Sequence, residues 1–203
     1  MVSSGAAYGY HRDNPEPISE DQPLRGNPEF AYADHKRIVE ELLEETRRLR
    51  PELAQLVLRP GTILGPTVDN QITALFERRV VLGVRGSMVP FVFVWDSDMV
   101  DIVVEGSLSE RVGIFNVAGS GTVPLRQIAA ELQRRYVALP AWLLRSALAI
   151  LKRLRLTRYG PEQIDFLRYR PVLANDRLLS EFGYTPTKTS LEAFRAWAKR
   201  RGN

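Results

Sequence analysis

Short apolar runs alternate with amphipathic helical stretches along nearly the whole chain, and this alternation limits the fold more than any other feature. Strand-length runs stand at 53–58, 80–84, 89–94 and 113–117, and Pro60-Gly61 breaks the chain after the first. Helical spacing covers 30–50, 70–78, 96–108, 123–136 and 141–156, with two shorter stretches near 175–182 and 190–201. Pro51 closes the first helix, and Asp96 or Ser97 is placed to cap the third. Residues 1–4 read as the end of a β-strand entering a small-residue loop. Residues 10–29, with Pro15, Pro17, Pro23 and Pro28, read as a long surface loop of the kind that carries function. Alternation of this sort specifies an α/β layered fold with parallel pairing.

A length of 203 residues with 44% hydrophobic content is enough for a real core. The absence of Cys excludes a disulfide scaffold, a Cys-ligated metal site and thiol chemistry. His11 and His35 are the only histidines, so no metal site is expected. No apolar run reaches the ~18 residues of a membrane span. The opening residues lack the pattern of a secretory signal, which makes the cytoplasm the default location. The charge is asymmetric: residues 1–123 hold 12 Lys+Arg against 18 Asp+Glu, and residues 124–203 hold 16 against 6. These cations are scattered, and the motifs lack aromatic-interleaved basic surface, so no nucleic acid partner is expected. The basic helix at 141–156 has the amphipathic form that lies on membranes. Packing on its own domain or on a partner subunit is the commoner use of such a helix, and a membrane is not expected as a partner.

Tyr32 and Lys36 stand four apart on a predicted helix and share a face. A Tyr hydroxyl titrates near ~10 and is a poor base at neutral pH. An ammonium one turn away favours the phenolate. Ser4, at the preceding strand end, is a donor for a substrate oxygen that gains charge as a proton and a hydride leave.

These residues carry a resemblance. The run Ser3-Ser4-Gly5-Ala6-Ala7-Tyr8-Gly9, then Tyr32-Ala33-Asp34-His35-Lys36, then Leu58-Arg59-Pro60-Gly61-Thr62-Ile63-Leu64-Gly65-Pro66 is similar to the extended short-chain dehydrogenase/reductases, and within them to the NAD-dependent epimerase/dehydratase family. Phe93-Val94-Trp95-Asp96, Phe115-Asn116-Val117-Ala118-Gly119, Asp176-Arg177-Leu178-Leu179 and Phe182-Gly183-Tyr184-Thr185-Pro186 resemble further family segments in the same order. The resemblance implies a catalytic set of Ser4, Tyr32 and Lys36. Tyr32 would transfer the proton, and Tyr32 and Lys36 would also contact the nicotinamide ribose. Pro60, Gly61, Thr62 and Ile63 would run past the carboxamide. NAD is the implied cofactor, with NADP left open. His35, turned away from Lys36, is expected to be exposed.

The departures matter as much. No G-x-G-x-x-G turn occurs in the chain, so the segment that holds the pyrophosphate is missing from these residues. The chain begins where a complete member would be about 100 residues along, which predicts an open strand edge and an uncovered apolar face. Val89-Pro90 stands where nucleotide-sugar members carry an Arg; Arg85, Arg168 and Arg170 are candidate replacements for substrate binding.

The expected architecture is therefore α/β, a partial Rossmann-like parallel sheet (the C-terminal half) with a smaller α/β substrate-binding lobe. Residues 1–66 are assigned to the dinucleotide-binding domain and 67–203 to the lobe interleaved with the last Rossmann elements. The expected chemistry is epimerase/dehydratase-type oxidoreduction at a hydroxyl-bearing carbon of a small molecule, with a nucleotide sugar leading, in a homo-oligomer of weak or no activity. The alternatives are a non-catalytic paralogue that binds a partner or oligomerises, and a chain whose Met1 is an internal methionine.

Overall fold

The computed structural model describes residues 1–157 and 159–201. After a 3-10 turn at Gly5–Tyr8 come α1 (Ala31–Leu49), β1 (Leu56–Pro60), β2 (Thr62–Leu64), α2 (Gln71–Phe76), β3 (Val80–Val84), β4 (Pro90–Phe91), β5 (Phe93–Trp95) and α3 (Asp96–Leu108). There follow β6 (Gly113–Val117), β7 (Val123–Pro124), α4 (Leu125–Glu131), β8 (Arg135–Leu139), α5 (Ala141–Arg153), α6 (Gln163–Arg168), a π-helical turn at Leu178–Phe182 and α7 (Ser190–Arg201).

The expected α/β architecture with parallel pairing is present. β1 runs parallel to β6, with Leu58 opposite Phe115, and Val2 bridges Leu58 on the other edge of β1. β2 is parallel to β5, and β3 to β8. Among the described residues only β4 and β7 pair antiparallel. In β1, four successive residues from Val57 to Pro60 are buried, the near-continuous burial of a strand covered on both faces.

Four local readings are corrected. The predicted helix over 123–136 divides into β7, α4 and β8. Gln133 takes a left-handed backbone (φ 52°), and the chain then pairs with β3 over five residues, so tertiary pairing overrides the local helical period. The predicted strand 89–94 serves two ladders: Phe91 faces Val123 in one and Phe93 faces Thr62 in the other. The predicted strand 53–58 begins later and runs from Leu56 to Pro60, where a missing N–H is tolerated, and its break falls at Pro60-Gly61 as expected. Neither Asp96 nor Ser97 caps α3, whose N-cap is Trp95; Asp96 instead accepts the Ser97 amide at 2.9 Å within the first turn.

Two of the three apolar clusters among the described residues join helices to the sheet pairs. One lies between the β1/β6 pair, α3 and the π-helical turn, built from Leu58, Phe115, Val117, Ile102, Leu178 and Phe182. The other centres on Phe76 of α2, whose ring meets those of Phe91, Phe93, Phe194 and Trp197 with centroids 5.2 to 6.1 Å apart. The 10–29 segment is more than a surface loop, because Tyr10, Ile18, Glu20 and Asn27 are buried in it and Ile18 bridges Leu173. Among the described residues no helix is long and apolar enough to cross a membrane.

Candidate active site

The site begins at the strand end that carries Val2. Ser4 has extended backbone (φ −166°, ψ 147°), and its Oγ accepts the Ala6 amide at 3.1 Å, which starts the 3-10 turn. Accepting that bond leaves the hydroxyl proton of Ser4 to donate elsewhere. Successive side chains of an extended segment point to opposite sides. Ser3 accordingly turns inward, is buried, and donates to Glu40.

Helix α1 packs against this turn along one stripe. Tyr32, Lys36 and Glu40 are spaced by four residues, and burial increases along them: Tyr32 is 61% exposed, Lys36 half-buried and Glu40 5% exposed. The Lys36 Nζ donates to the Val2 carbonyl at 3.1 Å and lies 5.8 Å from the centroid of the Tyr32 ring. Lys36 thus joins the strand that bears Ser4 to the phenol of Tyr32. His35 is exposed, as expected.

Beneath the stripe lies a buried polar network that sequence reasoning missed. The Arg59 guanidinium on β1 forks onto the Glu40 carboxylate, with Nε at 2.9 Å and Nη2 at 2.6 Å from Oε2. Its Nη1 donates to the Tyr8 hydroxyl at 2.8 Å and to the Glu20 carbonyl at 3.2 Å. Tyr8 in turn donates to the Asn116 Oδ1 at 2.9 Å, and the Asn116 amide donates to the Glu20 carboxylate at 2.7 Å. Burial pushes the Tyr8 hydroxyl up to about 12, against the pull of Arg59. Burial also raises the Glu20 carboxyl, against the Asn116 amide. The signal was available, since Glu40 follows Lys36 by one helical turn and Arg59 is a lone cation in an apolar strand.

The 60–63 segment crosses from one sheet to the next. The Gly61 amide donates to the Val117 carbonyl at 2.9 Å and the Thr62 amide to the Val92 carbonyl at 3.1 Å. A Cβ at Gly61 would come within 2.9 Å of the Val92 side chain and 3.0 Å of its carbonyl oxygen, so this crossing needs glycine. The Ile63 carbonyl accepts the Asn70 Nδ2 at 3.2 Å.

Of the three arginines, Arg170 is brought to this segment. Its guanidinium lies 4.3 Å from the Phe91 ring centroid and 4.8 Å from that of Phe166, with Nη2 3.4 Å from the Thr62 hydroxyl. Burial lowers its pKa. Arg168 instead lies over the Tyr169 ring at 4.9 Å, and Arg85 is exposed in the turn after β3. No cluster of three His, Cys, Asp or Glu among the described residues is placed to hold a metal ion.

The sequence profile of the NAD dependent epimerase/dehydratase family matches residues 1–105, the part that holds Ser4, Tyr32, Lys36, Arg59 and the 60–63 segment. The chain belongs to that family. An uncharacterized protein of Mycobacterium tuberculosis is 23% identical over 202 residues; the chain spans 54% of that relative's length. Among solved structures, the chain is similar to dTDP-glucose 4,6-dehydratase of Bacillus anthracis in complex with NAD. The TM-score is 0.68 and the identity 15%, over 98% of this chain and 60% of that one. It is also similar to a Thermus thermophilus UDP-glucose 4-epimerase complex with NAD, with a TM-score of 0.67 and 20% identity over 100% and 63% of the two chains. These two likenesses establish the fold.

Two outcomes follow from the network. Glu40→Ala leaves a buried guanidinium unpaired and is expected to cost about 3–5 kcal/mol in urea unfolding, whereas Glu40→Leu combined with Arg59→Met should cost far less. Glu20 is subject to linkage in the opposite sense from an ordinary paired carboxylate. Because its folded form holds the proton more tightly, its contribution is present below the ordinary value of 4.5 and is lost as pH rises through the folded value. Glu20→Gln, which keeps an acceptor oxygen and does not ionise, should therefore gain melting temperature relative to the native chain as pH rises from about 4 to 7.

Proposed function

We propose that these residues form the nicotinamide-side half of a site for oxidoreduction at a hydroxyl-bearing carbon, of the epimerase/dehydratase type. The observation that carries this reading is the bond from Lys36 to the Val2 carbonyl, two residues before Ser4, made by the same ammonium that faces the Tyr32 ring. Tyr32 takes the hydroxyl proton of the substrate. The positive charge of Lys36 stabilises the phenolate that does so. Ser4 donates to the substrate oxygen as it gains carbonyl character.

The donor set fits a nicotinamide nucleotide. An ammonium has three N–H donors, and Lys36 gives one to Val2, which leaves donors for ribose hydroxyls. Tyr32 stands exposed beside it. The Gly61 and Thr62 amides are engaged in the sheet, so within 60–63 the carboxamide falls to Ile63, with Pro60 and Gly61 shaping the wall. Bound NAD supplies the hydride acceptor and donor; the protein positions the substrate and moves the proton. On this reading residues 1–66 serve the cofactor and 67–203 form the substrate lobe interleaved with the last Rossmann elements, β6 among them.

A nucleotide sugar is the substrate class we favour. Arg170, a desolvated cation whose mapped partners are two aromatic rings and one hydroxyl, is chemically suited to a diphosphate oxygen beside Thr62. The similar solved proteins are named for UDP-glucose and dTDP-glucose. Arg168 and Arg85 are secondary candidates at the lobe surface. We also infer a homo-oligomer, supported by the exposed apolar stripe Val100, Val104 and Leu108 on α3 and by Ile38 and Leu42 on α1.

Two measurements test this. With NAD and either UDP-glucose or dTDP-glucose, Tyr32→Phe and Lys36→Met should each lower the rate of hydride transfer, followed as reduced nicotinamide, by about 10²–10⁴. An undiminished rate in Tyr32→Phe would sink the assignment. Light scattering should show a multimer that Leu42→Glu with Val104→Glu converts to a monomer.

A further inference from the structure

Helix α5 carries apolar side chains on two sides: Ala141, Leu144 and Leu148 are half-buried, and a second apolar strip faces solvent. Leu143, Ala147, Ile150 and Leu154 recur at four, three and four residues and form one strip. Arg145 and Lys152 are seven apart and form the opposite strip. A helix on a globular domain puts its apolar strip inward and its charges outward. In α5 the domain side holds Leu144 and Leu148 together with Arg145, which donates to Asp165 of α6 at 2.6 Å, while the exposed Lys152 donates to Glu162 at 3.4 Å. No residue of α5 is buried, and Ile150 is 60% exposed. Trp142, at the start of the helix, is 68% exposed, and Leu156 just past its end is exposed as well.

Charge decides what fits this strip. Residues 141–157 carry four Lys+Arg and no Asp or Glu, and Arg153 and Arg155 stand exposed beside the apolar strip. The same strip on a second copy would offer Arg153 and Arg155 no acidic partner, because residues 141–157 contain none. A surface that accepts apolar side chains between negative groups satisfies both features at once. We propose that α5 lies in the plane of an anionic lipid surface, with Leu143, Ile150 and Leu154 inserted among the acyl chains and Arg153 and Arg155 on the headgroups. The sequence left three places for this helix: its own domain, a partner subunit, or a membrane. Its outward strip has no cover on its own domain among the described residues. The inference stands on α5 alone and does not depend on the proposed chemistry.

The test uses vesicles of phosphatidylcholine, with and without phosphatidylglycerol. Trp95 and Trp197 are buried, so Trp142 reports on α5. Phosphatidylglycerol vesicles should sediment the protein and shift its tryptophan emission to the blue, and phosphatidylcholine alone should do neither. Replacing Leu143, Ile150 and Leu154 together by Ser should weaken sedimentation about tenfold or more. Arg153→Gln with Arg155→Gln should weaken it about tenfold, as should raised salt. All five side chains are exposed, and circular dichroism checks that the fold is intact. Three results would each overturn the proposal: no association with phosphatidylglycerol vesicles, association unchanged in the triple Ser variant, or a triple Ser variant that turns a lipid-free oligomer into a monomer.

Discussion

The buried pair of Glu40 and Arg59 sets the position of everything around the candidate site. An isolated ion at that depth would be costly, so the two must meet, and they can do so only when α1 sits at one rotation and one height over β1. That rotation turns Lys36 toward the strand end and Tyr32 toward solvent. The fork of Arg59 also leaves one nitrogen for Tyr8, which carries the constraint into Asn116 of β6 and the buried part of the 10–29 segment. A helix, two strands and a loop therefore share one electrostatic solution. An apolar replacement could keep the stability and lose the register.

The consequence is a graded helix. Its buried end is fixed by charge-assisted hydrogen bonds, its middle by the bond from Lys36 to a carbonyl, and its exposed end by the contact of an ammonium with a ring. The phenol of Tyr32 therefore stands exposed at the free end of a stripe that is anchored at its other end.

What the sequence made legible was local. Tyr32 and Lys36 sit on one helical face because α1 follows its own periodicity from Ala31 to Leu49, and β6 occupies the predicted residues because a short strand-length run there ends at a glycine turn. What it hid depended on distant partners. β8 looks helical by spacing and becomes a strand only because β3, some fifty residues earlier, offers it an edge. The 89–94 run looks like one strand because nothing within it reveals that Phe91 and Phe93 answer to different ladders. Arg59 was visible as a residue, but its partner lies 19 positions away on another element. The placement of α5 was hidden for the same reason, since α6, whose Asp165 accepts from Arg145, was not foreseen.

Gly61 is where two otherwise separate sheets become one object. On one side of it the chain pairs with β6, and on the other with β5, while the missing side chain lets Val92 press against the backbone. A hinge usually needs slack, and here there is none. Any bending of the chain here would have to fall in the connections after Leu64 or before Pro90, which leaves the 60–63 crossing as a stiff joint between the two ladders.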